Sequence, residues 1–82
     1  MNYTDYFKDK KITVLGLGLL GRGVGDVAFM AEAGAEVIVT DLKSKEELMT
    51  SLEQLSQYSN ITYVLGEHRK EDFEERDFIL VG

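Results

Sequence analysis

The sequence predicts an α/β fold, in which helices cover both sides of a parallel sheet of four strands. Four short segments are rich in apolar and β-branched residues and lack the alternation of a half-exposed strand; they span residues 11–16, 35–41, 60–66 and 77–82. Strands without a polar face are typical of parallel sheets buried between helices. Right-handed crossovers then favour the strand order 3-2-1-4, with the first strand central, as in a Rossmann-like three-layer sandwich.

The first strand, KITVLG at residues 11–16, ends at a glycine and is followed by a predicted helix. From Leu20 onward the apolar residues recur at helical spacing, which places them on one helical face. They are Leu20, Val24, Val27, Ala28 and Ala31. The helix is expected to end at Ala33–Gly34, because a glycine readily takes the left-handed conformation that closes a helix.

The second half of the chain repeats this alternation of strand and helix. After the strand AEVIVTD, Ser44 and Glu47 have the spacing of a capping box, and leucines 48, 52 and 55 follow at positions i, i+4 and i+7. The strand NITYVLG comes next, and HRKEDFEER is at most a short polar helix. The segment DFILVG, residues 77–82, supplies the fourth strand.

Composition indicates one small domain over residues 1–82, and it excludes several classes of function. The chain has 82 residues, a net charge of −6 and no cysteine, so disulfides and thiolate metal sites are excluded. An acidic chain is a poor partner for nucleic acid, and no apolar run is long enough to span a membrane. Because the sequence stops directly after an apolar strand, we expect an N-terminal fragment of a larger protein, with self-association through the uncovered strand 77–82.

Five glycines lie in the twelve residues VLGLGLLGRGVG, where the first strand gives way to a helix. The pattern G-x-G-x-x-G is formed by Gly16, Gly18 and Gly21. In this pattern Gly16 allows a tight turn, Gly18 allows a ligand to approach the backbone, and Gly21 allows close packing of the helix on the strand. Gly25 is expected to extend the close-packing face, and Gly23 has no specific role. The free N–H groups of the turn and the helix dipole predict an anion site.

Asp41 ends the second strand, twenty residues after Gly21, where an acidic side chain can accept hydrogen bonds from a ribose or a base. An aspartate here argues against a 2′-phosphate and therefore against NADP. Three functions stay open: a site for a UDP-linked substrate, the NAD-binding half of a dehydrogenase, and a structural module that binds nothing. Arg22 and Lys43 flank the expected crevice, and His68 is expected to be a plain surface residue.

The stretch YFKDKKITVLGLGLLGRGVGDVAFMAEAGAEVIVTDLKS resembles the start of the Mur ligases, most closely those of the MurD type. The segments DKKITVLGLGLLG and TDLK match the family's glycine turn and its acidic strand end. YVLGEHRKEDFEERDFILVG resembles the family's later G-x-H…D-hydrophobic segment. The likeness implies a Rossmann-like domain that binds the UDP part of a UDP-muramoyl substrate rather than a dinucleotide, in a cytoplasmic enzyme of peptidoglycan synthesis.

The resemblance also implies roles for individual residues. Gly16 begins the turn, and the turn residues Gly18, Leu19, Leu20 and Gly21 would face the uridine diphosphate. Asp41, Leu42 and Lys43 would contact the uracil. The family's reaction is ATP-dependent amide formation, but ATP, magnesium and D-glutamate bind on further domains, so no catalytic residue is expected within this chain. Leu20 replaces the Ser or Thr of many relatives, which removes a hydroxyl donor to the phosphate.

Overall fold

The structure, a computed structural model, describes residues 6–17 and 22–81, apart from the side chain of Arg22. The chain folds into an α/β unit whose elements follow one another in the predicted alternation. They are β1 (Lys11–Leu15), α1 (Arg22–Glu32), β2 (Glu36–Asp41), α2 (Met49–Gln54), β3 (Ile61–Leu65), a 3₁₀ helix (Lys70–Phe73) and β4 (Phe78–Val81).

The four strands form one sheet in the order β3-β2-β1-β4, and every pair is parallel. Thr13 of β1 lies between Ile38 of β2 and Ile79 of β4, which fixes the register across the central strand. The predicted strand order and the central place of the first strand are therefore confirmed. The carboxyl ends of β1 and β2 lie side by side, with Leu15 opposite Thr40.

One face of the sheet carries the hydrophobic core. The core residues of β1 and β2 are every second residue along each strand, and they pack with apolar side chains from α1 and from α2 and its ends. The core cluster includes Ile12, Val14, Val37 and Val39 from the strands, Val24, Val27 and Met30 from α1, and Leu48 and Leu55 near α2. Both α-helices thus contact the same face, as expected of two successive right-handed crossovers.

The opposite face is covered differently from the expected third layer of helices. The crossover from β3 to β4 contains the 3₁₀ helix in place of an α-helix, and its segment lies over Thr13, which is fully buried. The Thr13 hydroxyl donates a hydrogen bond to the carbonyl oxygen of Asp72, and Arg76 Nε donates to Thr13 Oγ1 at 3.0 Å. The Arg69 guanidinium binds the buried Asp72 carboxylate through two hydrogen bonds, of 2.8 and 2.9 Å.

The end of α1 is closed by the predicted glycine. Gly34 has a φ of 93°, its N–H donates to the Ala31 carbonyl at 3.0 Å, and the Ala35 N–H donates to the Met30 carbonyl at 3.1 Å. This pair of bonds is the Schellman arrangement. Asn60 ties this helix end to the start of β3, because its side-chain amide donates to the carbonyls of Ala31 and Ala35 at 2.9 and 2.6 Å.

The predicted capping box is also present. The Glu47 N–H donates to Ser44 Oγ at 3.3 Å, and the Ser44 N–H donates to Glu47 Oε1 at 3.2 Å. The box lies ahead of α2, which begins only at Met49, two residues after Glu47. Leu48 and Leu55 are buried as their spacing predicts.

Aromatic side chains from the start of the described chain pack beside the sheet. The Tyr6 ring stacks on Phe78 with centroids 6.0 Å apart, and Phe7 meets Phe29 edge to face at 5.8 Å. Among the helices of the described part of the chain, none has the length and apolar character needed to cross a bilayer.

Candidate functional site

The turn after β1 begins at Gly16, whose φ of 89° is strained for any residue with a side chain. The Gly16 N–H donates to the Thr40 carbonyl at 2.8 Å, which extends the pairing of β1 and β2 by one bond. Gly16 therefore allows the tight turn that the sequence predicts. The next four predicted site residues, Gly18, Leu19, Leu20 and Gly21, lie outside the described residues.

Asp41 is the central polar group at this edge of the sheet. Its side chain is buried, with 5% of the residue exposed, and each carboxylate oxygen accepts a backbone N–H. Leu17 donates to Oδ2 at 2.8 Å and Lys43 donates to Oδ1 at 2.9 Å. The carboxylate therefore joins Leu17, in the loop after β1, to Lys43, in the loop after β2. A solvated strand end, the simplest alternative for Asp41, does not describe this environment.

The pKa of Asp41 lies below its ordinary value of 3.8, as a balance of opposing effects. Burial raises the pKa, but the backbone hydrogen bonds from Lys43 and Leu17 lower it, and so do the charges of Lys43 and His68. Hydrogen bonds to the ionised form outweigh desolvation here. Asp41 is accordingly an anion at neutral pH, and only an acceptor of hydrogen bonds.

Thr40, the neighbour of Asp41, holds the loop after β3. Its hydroxyl is fully buried. The hydroxyl oxygen lies 3.0 Å from the Glu67 carbonyl oxygen and 2.7 Å from Nδ1 of His68. The Gly66 N–H donates to the carbonyls of Asp41 and Lys43 at 2.8 and 3.1 Å. The last two residues of β2 thus connect the loops that follow β1, β2 and β3.

The close contact between α1 and the loop after β1 depends on Gly23, to which the sequence assigns no specific role. A methyl group added at Gly23 would overlap the carbonyl oxygen of Leu17, and would lie 2.9 Å from its carbonyl carbon. The prediction for Gly25 is wrong, because that residue is exposed and a methyl group there would meet nothing within 4 Å. The first turn of α1 therefore presents Gly23 to the backbone of Leu17, and Gly25 to solvent.

The remaining predicted residues occupy different environments. Leu42 is 66% exposed, and Lys43 is half-buried with its backbone N–H bound to Asp41. Thr40 and His68 were missed as members of the site. Loops after neighbouring parallel strands meet at the carboxyl edge of a sheet, and this signal would have placed His68, three residues after β3, near Asp41.

No group of three or more His, Asp or Glu side chains within residues 6–17 and 22–81 is arranged to hold a metal ion.

Comparisons with known proteins agree with the resemblance. A model of the Mur ligase MurD-like N-terminal domain matches residues 10–82. Three similar proteins are UDP-N-acetylmuramoylalanine–D-glutamate ligases from Treponema pallidum, Borreliella afzelii and Bdellovibrio bacteriovorus. The identities are 45%, 40% and 43%, over 87%, 93% and 98% of this chain.

The matched regions amount to 13%, 17% and 16% of those three relatives, so this chain spans only about a sixth of their length. No solved structure was found to match the chain. The glycine turn, the acidic end of the second strand, the strand order and the match over residues 10–82 lead to one assignment. The chain belongs to the family of MurD-like Mur ligase N-terminal domains.

Proposed function

We propose that this chain is the N-terminal domain of an ATP-dependent amide ligase of peptidoglycan precursor synthesis. In this role it holds the UDP part of UDP-N-acetylmuramoyl-L-alanine while D-glutamate is added. The names of its relatives supply the reaction class. The observation that carries the proposal for this chain is the buried Asp41 carboxylate, which binds the backbone N–H of Leu17 directly before the predicted turn residues.

The diphosphate would bind at the turn that starts at Gly16, where backbone N–H groups at the start of a helix favour an anion. In this proposal, the diphosphate would face Gly18, Leu19, Leu20 and Gly21. Asp41, Leu42 and Lys43 would contact the uracil and ribose. The two bonds already made by the Asp41 carboxylate leave acceptor capacity, because its two oxygens offer about four lone-pair positions.

The rest of the reaction belongs to other parts of such a ligase. ATP and magnesium would bind on further domains, together with D-glutamate, and the present chain would supply no catalytic group. The enzyme would work in the cytoplasm, on a UDP-muramoyl substrate, without a nucleic-acid or membrane partner. The alternative function, in a different class of enzyme, is that this chain is the NAD-binding half of a dehydrogenase.

Titration of the chain with UDP and, separately, with NAD tests the proposal by nuclear magnetic resonance. We expect UDP to shift the backbone amides of Gly16 and Lys43 in a saturable way, and NAD to leave them unchanged. Asp41→Asn should weaken the UDP response. Asp77→Asn is the matched control, because Asp77 also accepts a backbone N–H, from Lys11 at 2.7 Å, but at the start of β1.

Each other outcome has a defined meaning. Saturable binding of NAD without UDP would replace the proposal by the dehydrogenase alternative. No saturable response to either ligand would leave a structural module and refute the proposal. Equal loss of the UDP response in Asp41→Asn and Asp77→Asn would show that Asp41 acts on the fold alone.

We also propose that copies of this chain associate through β4. This strand lies at an edge of the sheet, and Ile79, Leu80 and Val81 are exposed. An uncovered apolar edge strand favours pairing with another chain. Sedimentation should show mass rising with concentration, and Leu80→Lys should reduce it; a monomer at all concentrations would remove this proposal.

A further inference from the structure

The side chain of His68 has a defined orientation, although it lies in a loop. Its Nδ1 is 2.7 Å from Oγ1 of Thr40, whose residue is fully buried, and its ring meets Phe73 edge to face with centroids 6.4 Å apart. The residue itself remains exposed. Two contacts therefore hold one edge of the imidazole, and the other edge faces away from them.

The hydrogen bonds of Thr40 determine which ring nitrogen carries the proton. The Glu67 carbonyl can only accept, so the single hydroxyl proton of Thr40 is donated to it at 3.0 Å. Oγ1 of Thr40 must then accept from His68, which requires a proton on Nδ1. In the neutral ring Nε2 is consequently an acceptor. Within the described part of the chain, Nε2 has no hydrogen-bond partner.

The position of His68 relates this free acceptor to the site. His68 contacts Thr40, which is adjacent to Asp41 at the end of β2. The loop that carries His68 is attached to the same strand end through Gly66, which donates to the Asp41 carbonyl at 2.8 Å. His68 thus lies at the strand end that carries Asp41, the residue expected to contact the nucleoside.

We infer that His68 is a further ligand-binding residue of this site, whose Nε2 accepts a hydrogen bond from a donor on the nucleoside. This inference rests on the proposed function, and it adds the loop after β3 as a third wall of the nucleotide crevice. A uridine nucleotide offers two kinds of donor, the ribose hydroxyls and the N3–H of the uracil. Both present the same chemistry to an acceptor nitrogen.

The first measurement uses the unmodified chain. The sequence contains one histidine, so its ring nitrogens are identified without assignment. A long-range ¹H–¹⁵N spectrum should show a proton on Nδ1 in the free chain, and addition of UDP should move the Nε2 resonance. An Nε2 signal unmoved at saturating UDP would overturn the inference, even if UDP shifts the amides of Gly16 and Lys43.

The second measurement compares two variants. In His68→Asn the amide replaces Nδ1 and nothing replaces Nε2, so the contact with Thr40 is kept while the acceptor is removed. Calorimetry should show UDP binding weakened by about three- to tenfold, the value of one hydrogen bond, with an unchanged unfolding temperature. Arg69→Lys, in the next residue, is the control and should bind UDP normally. Equal UDP affinity in His68→Asn and the unmodified chain would overturn the inference.

Analogues identify the donor. If a ribose hydroxyl supplies it, either 2′-deoxy-UDP or 3′-deoxy-UDP should bind less tightly to the unmodified chain, and should bind the unmodified chain and His68→Asn equally. If the uracil supplies it, N3-methyl-UDP should behave in this way. An unchanged affinity ratio between the two chains for all three analogues would overturn the inference. Failure of UDP to bind the unmodified chain would refute both the proposed function and the inference about His68. UDP binding that does not depend on His68 would refute only the inference about His68.

Discussion

Two identical substitutions in the first turn of α1 should have opposite effects on stability. Gly23 and Gly25 lie in the same helix, but a methyl group at Gly23 would overlap the Leu17 carbonyl and one at Gly25 would meet open space. Replacing a solvent-facing helical glycine by alanine stabilises a protein by about 0.5–1 kcal/mol. Gly25→Ala should therefore raise the free energy of unfolding by that amount.

At Gly23 the same gain in helix propensity is opposed by a steric cost. The colliding atoms belong to the backbone of Leu17, whose N–H is held by Asp41, so no flexible side chain can move aside. Overpacking costs about 1–3 kcal/mol, and a backbone partner places this case at the upper end. After about 1 kcal/mol of propensity gain is subtracted, Gly23→Ala should lower the free energy of unfolding by about 2 kcal/mol.

Thermal unfolding followed by circular dichroism measures both effects. At about 4–8 °C per kcal/mol for a domain of this size, Gly23→Ala should lower the midpoint by about 8–16 °C and Gly25→Ala should raise it by about 2–8 °C. The displaced turn should also weaken UDP binding in Gly23→Ala only. A midpoint for Gly23→Ala at or above that of the unmodified chain would refute the assignment of Gly23 to the contact with the Leu17 backbone.

Three further predictions concern single side chains. Because the pKa of Asp41 lies below 3.8, its ionised form stabilises the fold above about pH 4, and this contribution is lost as the pH falls further. Asp41→Asn should lower the free energy of unfolding by about 1–3 kcal/mol at pH 7. Urea titrations at several pH values should show that the free energy of unfolding falls less in acid for this variant than for the unmodified chain. Gly18→Val should abolish the UDP-induced amide shifts and keep the circular dichroism spectrum, since a side chain would fill the phosphate space; normal UDP binding would contradict the turn site. Asn60→Asp should lower the free energy of unfolding by about 2–4 kcal/mol, because a carboxylate would replace the amide that donates to the Ala31 and Ala35 carbonyls. A urea midpoint equal to that of the unmodified chain would contradict this prediction.

Local signals in the sequence predicted local structure well. Gly34 ends α1 with a positive φ, and Ser44 and Glu47 form their capping box, because each depends on residues a few positions apart. The strand order followed from the handedness of crossovers, which is a property of any parallel sheet. Gly16 was likewise identifiable, since a strand that turns at once into a helix requires a glycine there.

Features that depend on tertiary contacts were not predictable in the same way. The roles of Gly23 and Gly25 differ because of the rotation of α1 about its axis, which the spacing of apolar residues alone does not determine. A histidine in a polar stretch carries no periodic signal, so the sequence predicts only a surface residue at His68, and the residue is indeed exposed. Its contact with Thr40 joins residues 28 positions apart, and only the folded sheet brings them together.

The arrangement at the end of β2 bears on how a nucleotide would lie in the crevice. Asp41 carries a negative charge at neutral pH, so a diphosphate beside it would be repelled, although the N–H groups of Leu17 and Lys43 offset part of that charge. A neutral nucleoside has hydroxyl and N–H donors, which suit an anionic acceptor. The proposed orientation, with the diphosphate at the turn before α1 and the nucleoside between Asp41 and His68, is therefore the one with the lower electrostatic cost. In a chain with a net charge of −6, local backbone dipoles must bind the anion, and the side chains at the end of β2 are left to recognise the base and sugar.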